Sequence, residues 1–125
     1  DARVDAFIDD MAEAYAWADW VICRAGALTI SELMTVGLAA LLIPFPHAID
    51  DHQTHNAAVL VNAGAALAVS QKDLDGEKLA ALMREEFAER SRLRAMAEHG
   101  RQLARPEAAR VVAEQCIAQT EVNRG

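Results

Sequence analysis

The sequence has few of the residues that build a cross-linked or metal-dependent domain. Only two of its 125 residues are cysteines, Cys23 and Cys116, and they form neither a CxxC pair nor a Cys/His cluster. Neither a disulfide framework nor a zinc site is therefore indicated, and this cysteine usage is typical of a reducing compartment. Because Cys23 lies in an apolar run, we expect it to be a small buried hydrophobe without chemistry of its own.

Long apolar runs and positive charge are also scarce. No stretch of 18 or more apolar residues occurs, and the first residues have no signal-peptide pattern; we therefore expect a soluble, cytoplasmic chain that is not exported. The 12 basic and 19 acidic side chains give a net charge of -7, which disfavours nucleic acid as a partner. With 53% hydrophobic and 25% charged residues, the length predicts one globular domain with a single core.

The apolar pattern alternates between strand-like and helix-like segments. Short apolar runs predict strands at residues 4–8, 20–23, 40–43 and 66–69. Helical segments are predicted at residues 11–18, 27–36, 52–63, 77–90, 91–104 and 107–120. This order predicts an α/β domain with a Rossmann-like parallel sheet and helices on both faces. Since a complete domain of this kind usually has more strands, we expect this one to be truncated at its N-terminal side.

The segment after the second predicted strand is the strongest candidate for a ligand site. Ligands of open α/β sheets bind beyond the carboxyl ends of the strands, and here Gly26 delivers the first amides of a helix to that edge, where phosphate is attracted. Glu32 follows six residues later, and its carboxylate could accept two hydrogen bonds from a ribose diol. The simpler alternatives are a glycine needed only for positive φ and a solvated glutamate.

Two further segments carry candidate binding residues. Gln53 and Asn56 share a helix face and, with His52, offer neutral donors and acceptors suited to sugar hydroxyls. The histidines there also suggest a metal, but His52 and His55 lack the HExxH arrangement, so no metal site is predicted. In the other segment, residues 6–11, backbone groups could contact the edge of a flat base while aromatic or thioether side chains cover its face; core packing is the alternative.

The stretches FIDDMAEAYAWAD, CRAGALTISE and GLAALLIPFPHAIDDHQTHNA resemble, in order and spacing, the C-terminal donor-binding domain of the MurG family of GT-B glycosyltransferases. The resemblance implies a UDP-N-acetylglucosamine site without cofactor or metal. It assigns uracil to the backbone of Ile8 beside Phe7 and Met11, and the ribose to Glu32.

The same resemblance assigns the other donor groups. It places the pyrophosphate at the amides of Ala27, Leu28 and Thr29, and the sugar hydroxyls at Gln53 with His52 and Asn56 nearby. Arg24 is an additional binding residue. Family members can carry Ser or Gln where this chain has Ala25 and His52.

For the whole enzyme, the resemblance implies an inverting transfer of N-acetylglucosamine to lipid I, giving lipid II for peptidoglycan synthesis. The acceptor site, the general base, a glycine-rich loop and the membrane contact would lie outside this chain. We therefore expect the chain alone to be inactive, the full-length parent to be peripheral on the cytoplasmic face of the bacterial inner membrane, and a dimer through exposed strand edges to be possible. The alternatives are another GT-B UDP-sugar transferase, a UDP-N-acetylglucosamine epimerase, or a non-catalytic module whose helices at 77–120 bind a protein.

Overall fold

The computed structural model describes residues 1–47, 50–104, 114, 117 and 118. Its helices are α1 (Met11–Trp17), α2 (Ala27–Val36), α3 (His52–Asn62), α4 (Gly76–Ala88) and α5 (Arg90–Leu103), with a 3₁₀ turn at Gln71–Asp73. Its strands are β1 (Val21–Cys23), β2 (Ala40–Leu42) and β3 (Ala66–Ala68). Five predicted helices and three predicted strands are thereby confirmed, with ends that differ by at most two residues. The helix predicted at 107–120 falls largely outside the described residues.

The three strands form one parallel sheet in the order β1-β2-β3. Side chains alternate between the two faces of a strand, so Ala40 and Leu42 of β2 belong to the same core. One face packs against α2 and α3, and its buried residues include Ala40, Leu42, Leu33 and Leu60. The other face packs against α5 through Ala39, Leu93 and Met96, with Trp20 and Leu67 partly buried beside them. The predicted Rossmann-like α/β fold with helices on both faces is therefore confirmed.

The strand predicted at residues 4–8 is wrong. These residues have no regular secondary structure, and Val4 and Phe7 are 93% and 78% exposed. A strand needs a neighbour whose backbone groups complete its ladder, and within the described ranges β1 is hydrogen-bonded to β2 alone. Residues 1–10 therefore lead into α1 as irregular chain. A dimer through an exposed strand edge stays a prediction, and it now concerns the edge of β1 that does not pair with β2.

Local signals mark the start of α1 and α4 and the end of α2. The Asp10 carboxylate caps α1 by accepting a hydrogen bond from the Glu13 amide at 2.9 Å, and Asp75 caps α4 through the Lys78 amide at 2.8 Å. At the end of α2, Gly37 has φ +71° and its N–H donates to the Leu33 carbonyl, a conformation that favours glycine. Because α2 ends there and turns into β2, its first residue lies at the carboxyl edge of the sheet.

Candidate functional site

The loops that follow β1 and β2 meet at the carboxyl edge of the sheet. The Arg24 guanidinium, just after β1, donates a hydrogen bond to the Ile43 carbonyl, just after β2, at 3.3 Å. A cleft of about 390 Å³ opens beside them and is lined by Ile22, Cys23, Arg24, Ile43, Gln71 and Leu74. A smaller depression of about 230 Å³ near Gly37 and Arg94 is lined by none of the predicted binding residues. The carboxyl edge is therefore the candidate site, as the fold predicts.

The first turn of α2 presents uncapped amides at this edge. Gly26 is the N-cap residue, no side chain caps the helix, and its first turn contains no acidic residue. Ala27 and Leu28 are exposed and Thr29 is half-buried. The unsatisfied N–H groups and the positive end of the helix dipole therefore face outward without an acidic side chain in the first turn to compete for them. Such a helix end can bind a phosphate group.

Gly26 is not required by the backbone conformation. Its φ is -65°, which any residue adopts, so the interpretation as a positive-φ turn is excluded. A Cβ added at Gly26 would have only Thr29 Oγ1 near it, at 4.0 Å. Neither strain nor packing explains the glycine. Because Gly26 has no side chain, the approach to the α2 amides is open.

Gln53 and Asn56 tie α3 to the backbone of both loops. Gln53 Oε1 accepts hydrogen bonds from the Ala25 amide at 3.3 Å and the Phe45 amide at 2.8 Å. Asn56 Nδ2 donates to the Ala25 carbonyl at 3.0 Å. Ala25 is fully buried, so these two side chains satisfy the backbone N–H and C=O of a residue that water does not reach. We call this arrangement the Ala25 clamp; it holds the residue directly before the α2 N-cap.

The clamp predicts that Asn56→Ala destabilises the chain by about 1 to 3 kcal/mol, because it leaves the buried Ala25 carbonyl without a donor. The free energy of unfolding from urea titration measures this loss. His55→Ala is the matched control, since His55 is an exposed neighbour on the same helix and its truncation should change stability by less than about 0.5 kcal/mol. Equal effects of the two substitutions would contradict the clamp.

Glu32 lies half-buried on α2, with one carboxylate oxygen already engaged. The Tyr15 hydroxyl donates a hydrogen bond to Glu32 Oε2 at 2.9 Å. Burial, followed by this hydrogen bond and the Glu32 charge, raises the pKa of Tyr15 to about 12. Tyr15 therefore remains a donor throughout the neutral range. Sequence reasoning missed it, because an apolar helix face gives no sign of which group its hydroxyl will meet.

The remaining polar candidates form a loose group near the clamp. The Arg24 guanidinium lies 5.3 Å from the centre of the Phe45 ring, a cation–π geometry that the sequence did not reveal. His52 is exposed and lies 3.4 Å from an Asp50 carboxylate oxygen. Within residues 1–47, 50–104 and the three described further on, no three His, Cys, Asp or Glu side chains could hold a metal ion. Burial raises the pKa of the Cys23 thiol, which makes it a poor nucleophile at neutral pH.

The predicted base-binding residues lie at the surface. Phe7, Ile8 and Met11 are exposed on the irregular segment and the first turn of α1. They belong to neither core cluster, so core packing does not account for them. The structure thus brings together Arg24, Gln53 and Asn56 around the start of α2 and leaves the apolar trio free at the surface.

The family model of the glycosyltransferase family 28 C-terminal domain matches residues 1–112. The chain belongs to this family. It is 57% identical over 116 residues to a protein of Cellvibrio japonicus, and 54% identical over 125 residues to one of Pseudomonas aeruginosa. Both are named UDP-N-acetylglucosamine–N-acetylmuramyl-(pentapeptide) pyrophosphoryl-undecaprenol N-acetylglucosamine transferase. The matches cover 93% and 100% of this chain but 32% and 34% of those proteins.

A solved structure of the same kind agrees with the sequence relatives. The crystal structure of Acinetobacter baumannii MurG superimposes with a TM-score of 0.84 at 45% identity, over 90% of this chain and 32% of that protein. The chain therefore spans about a third of the length of the relatives that it matches. In the part of the chain that the structure describes, no helix is long and apolar enough to cross a membrane.

Proposed function

We propose that the chain is the donor-binding domain of a longer, inverting N-acetylglucosaminyltransferase. The full-length enzyme would transfer N-acetylglucosamine from UDP-N-acetylglucosamine to lipid I, forming lipid II in peptidoglycan synthesis. The names of relatives that share 54% to 57% of its residues support this substrate pair. The acceptor site, the general base and the membrane contact belong to another domain, and the enzyme acts as a peripheral protein on the cytoplasmic face of the inner membrane. Nucleic acid has no part in the proposal.

The observation that carries the proposal is the open start of α2. Helix amides that no side chain caps are accessible past Gly26, and the Glu32 carboxylate lies on the same helix. A nucleoside diphosphate needs both features, because its pyrophosphate is an anion and its ribose diol is a pair of donors. The positive helix end is matched to a diphosphate and would repel a cationic ligand.

In this mechanism the chain binds the donor and stabilises the leaving group. The amides of Ala27, Leu28 and Thr29 stabilise the negative charge that develops on UDP as the glycosidic bond breaks. Glu32 accepts hydrogen bonds from the ribose hydroxyls. The base of the acceptor domain removes the proton from the attacking hydroxyl.

The remaining donor contacts come from the loops and the first segment. Gln53 uses its amide nitrogen, which the Ala25 clamp leaves available, for the sugar, with His52 and Asn56 beside it. Arg24 faces the cleft as a second positive group for the phosphates. The backbone of Ile8 contacts uracil while Phe7 and Met11 cover the ring. Their exposure supports this role, since a bound base would bury apolar area that water now meets.

The proposal predicts that Gly26→Ala weakens donor binding while the fold survives. A methyl group at this position meets no protein atom closer than 4.0 Å, so stability should change by less than about 1 kcal/mol. The donor should lose about 5-fold in affinity, because its pyrophosphate is kept from the α2 amides. The measurement is formation of lipid II by the full-length enzyme at varied UDP-N-acetylglucosamine.

Gly76→Ala is the control for this experiment, since Gly76 also begins a helix with nothing within 4 Å but belongs to α4. It should leave the donor Michaelis constant unchanged. Conversion of UDP-N-acetylglucosamine without any lipid acceptor would identify an epimerase instead. Transfer only to a different class of acceptor would favour another GT-B enzyme. Absence of turnover in a protein that still binds a partner protein would favour the non-catalytic module.

A further inference from the structure

We infer that Tyr15 is a positioning residue that sets the orientation of Glu32 for the nucleoside and couples the base-binding segment to it. The inference rests on the proposed function, because it takes the ribose as the partner of Glu32. Its basis is a hydrogen bond between α1 and α2: the Tyr15 hydroxyl and Glu32 Oε2 are 2.9 Å apart and belong to residues 17 positions apart in sequence.

Tyr15 is also the large side chain that attaches α1 to the domain. No residue of α1 is fully buried, and Tyr15, with Ala18 just after the helix, packs against the core cluster that includes Leu33 of α2. Phe7, Ile8 and Met11 lie four to eight residues before it, on the irregular segment and at the start of α1. The position of the proposed base-binding residues relative to α2 therefore depends on the contacts of Tyr15, with Ala18 beside it.

The hydrogen bond leaves Glu32 able to bind a ligand. Within the described ranges Oε1 of Glu32 has no hydrogen-bond or ion-pair partner, so it remains open to a ribose hydroxyl. A free glutamate on a helix samples several rotamers, and fixing one of them on binding costs affinity. Tyr15 removes most of this cost beforehand by holding the other oxygen.

The test compares two inhibitors of the full-length enzyme, UDP and its dideoxyribose analogue, which lacks both ribose hydroxyls. In Tyr15→Phe the ring and its packing remain and only the hydroxyl is lost. We expect the inhibition constant of UDP to rise about 3- to 10-fold, while that of the dideoxy analogue changes less than about 2-fold. The Michaelis constant of the donor should rise together with the inhibition constant of UDP, and kcat should change less.

Thr35→Val is the matched control, because it removes a hydroxyl about one turn further along α2 that donates to the Ser31 carbonyl at 2.9 Å and is not part of the Tyr15–Glu32 pair. It should leave both inhibition constants unchanged. Reversible partial unfolding would weaken both inhibitors by the same factor, so it cannot imitate the expected difference between them.

Two outcomes would overturn the inference. An equal rise for both inhibitors in Tyr15→Phe would show that the hydroxyl supports the fold or the base-binding segment without acting through the ribose contact, and no rise would show that Glu32 needs no positioning. A failure of the proposed function is seen separately, in the unmodified enzyme. If that enzyme binds UDP and the dideoxy analogue equally well, Glu32 does not hold the ribose and the inference falls with it.

Discussion

Glu32→Ala in the full-length enzyme should weaken the use of UDP-N-acetylglucosamine by about 10-fold or more. Hydrogen bonds to a charged group contribute roughly 1.5 to 3 kcal/mol each, and a ribose diol can donate two of them to one carboxylate. Steady-state kinetics should show the loss in the donor Michaelis constant. Inhibition by UDP should weaken to a similar degree, because the contact is to the nucleoside and not to the sugar.

Two further variants test whether the Glu32 charge is needed and whether the loss is specific to this position. Glu32→Gln keeps one acceptor without the charge and should give a loss between those of the parent and the alanine variant. Ser31→Ala changes the exposed neighbour on α2 and should leave donor use unchanged. The melting temperatures of Glu32→Gln and Ser31→Ala should stay near that of the parent. Glu32→Ala also leaves the Tyr15 hydroxyl without its acceptor and should lose about 0.5 to 1.5 kcal/mol of stability, which a small domain tolerates. Unchanged donor kinetics and UDP inhibition in folded Glu32→Ala would remove the nucleotide from this helix.

The helices could be predicted from the sequence because their signals are local. Asp10 and Asp75 cap the starts of two helices and Gly37 ends a third. Each of them contacts a residue only a few positions away in the sequence. The segment at residues 4–8 has an apolar composition that favours a strand, yet its state depends on whether a neighbour can pair with it. No local pattern carries that information, and the prediction there was wrong.

Some residues of the candidate site could likewise be predicted from local patterns and others could not. The spacing from Gly26 to Glu32 follows from helix geometry, so a shared position at the sheet edge could be predicted. Tyr15 and the backbone of Ala25 could not, because their partners are 17 to 31 residues away and only the fold brings them together. A lone tyrosine and an alanine give no chemical sign of these contacts.

The Ala25 clamp also makes Gln53 a residue with two roles, and its substitution tests both. Gln53→Ala removes the acceptor of two backbone amides. Each buried donor left unpaired costs about 1 to 3 kcal/mol, and water can reach the Phe45 amide more easily than that of fully buried Ala25. We therefore expect a loss of about 2 to 4 kcal/mol in the free energy of unfolding, a large part of the stability of a small domain. Gln102→Ala, at an exposed position on α5, is the matched control and should change stability by less than about 0.5 kcal/mol.

Gln53→Glu distinguishes the clamp from the proposed sugar contact, because it keeps an oxygen for both amides and loses only the amide nitrogen. Its stability should stay within about 1 kcal/mol of the parent, since amides pair well with a carboxylate. Donor use should nevertheless fall, because the new charge repels the pyrophosphate at the start of α2 and the donor to the sugar is gone. The two variants therefore differ in their main effect. Gln53→Ala lowers stability more, and Gln53→Glu weakens the use of UDP-N-acetylglucosamine while the fold stays intact. If Gln53→Glu lost as much stability as Gln53→Ala, the two amide bonds would not be what Gln53 contributes. If it kept full donor affinity, Gln53 would face neither the sugar nor the phosphates, and its role would end with holding Ala25 in place.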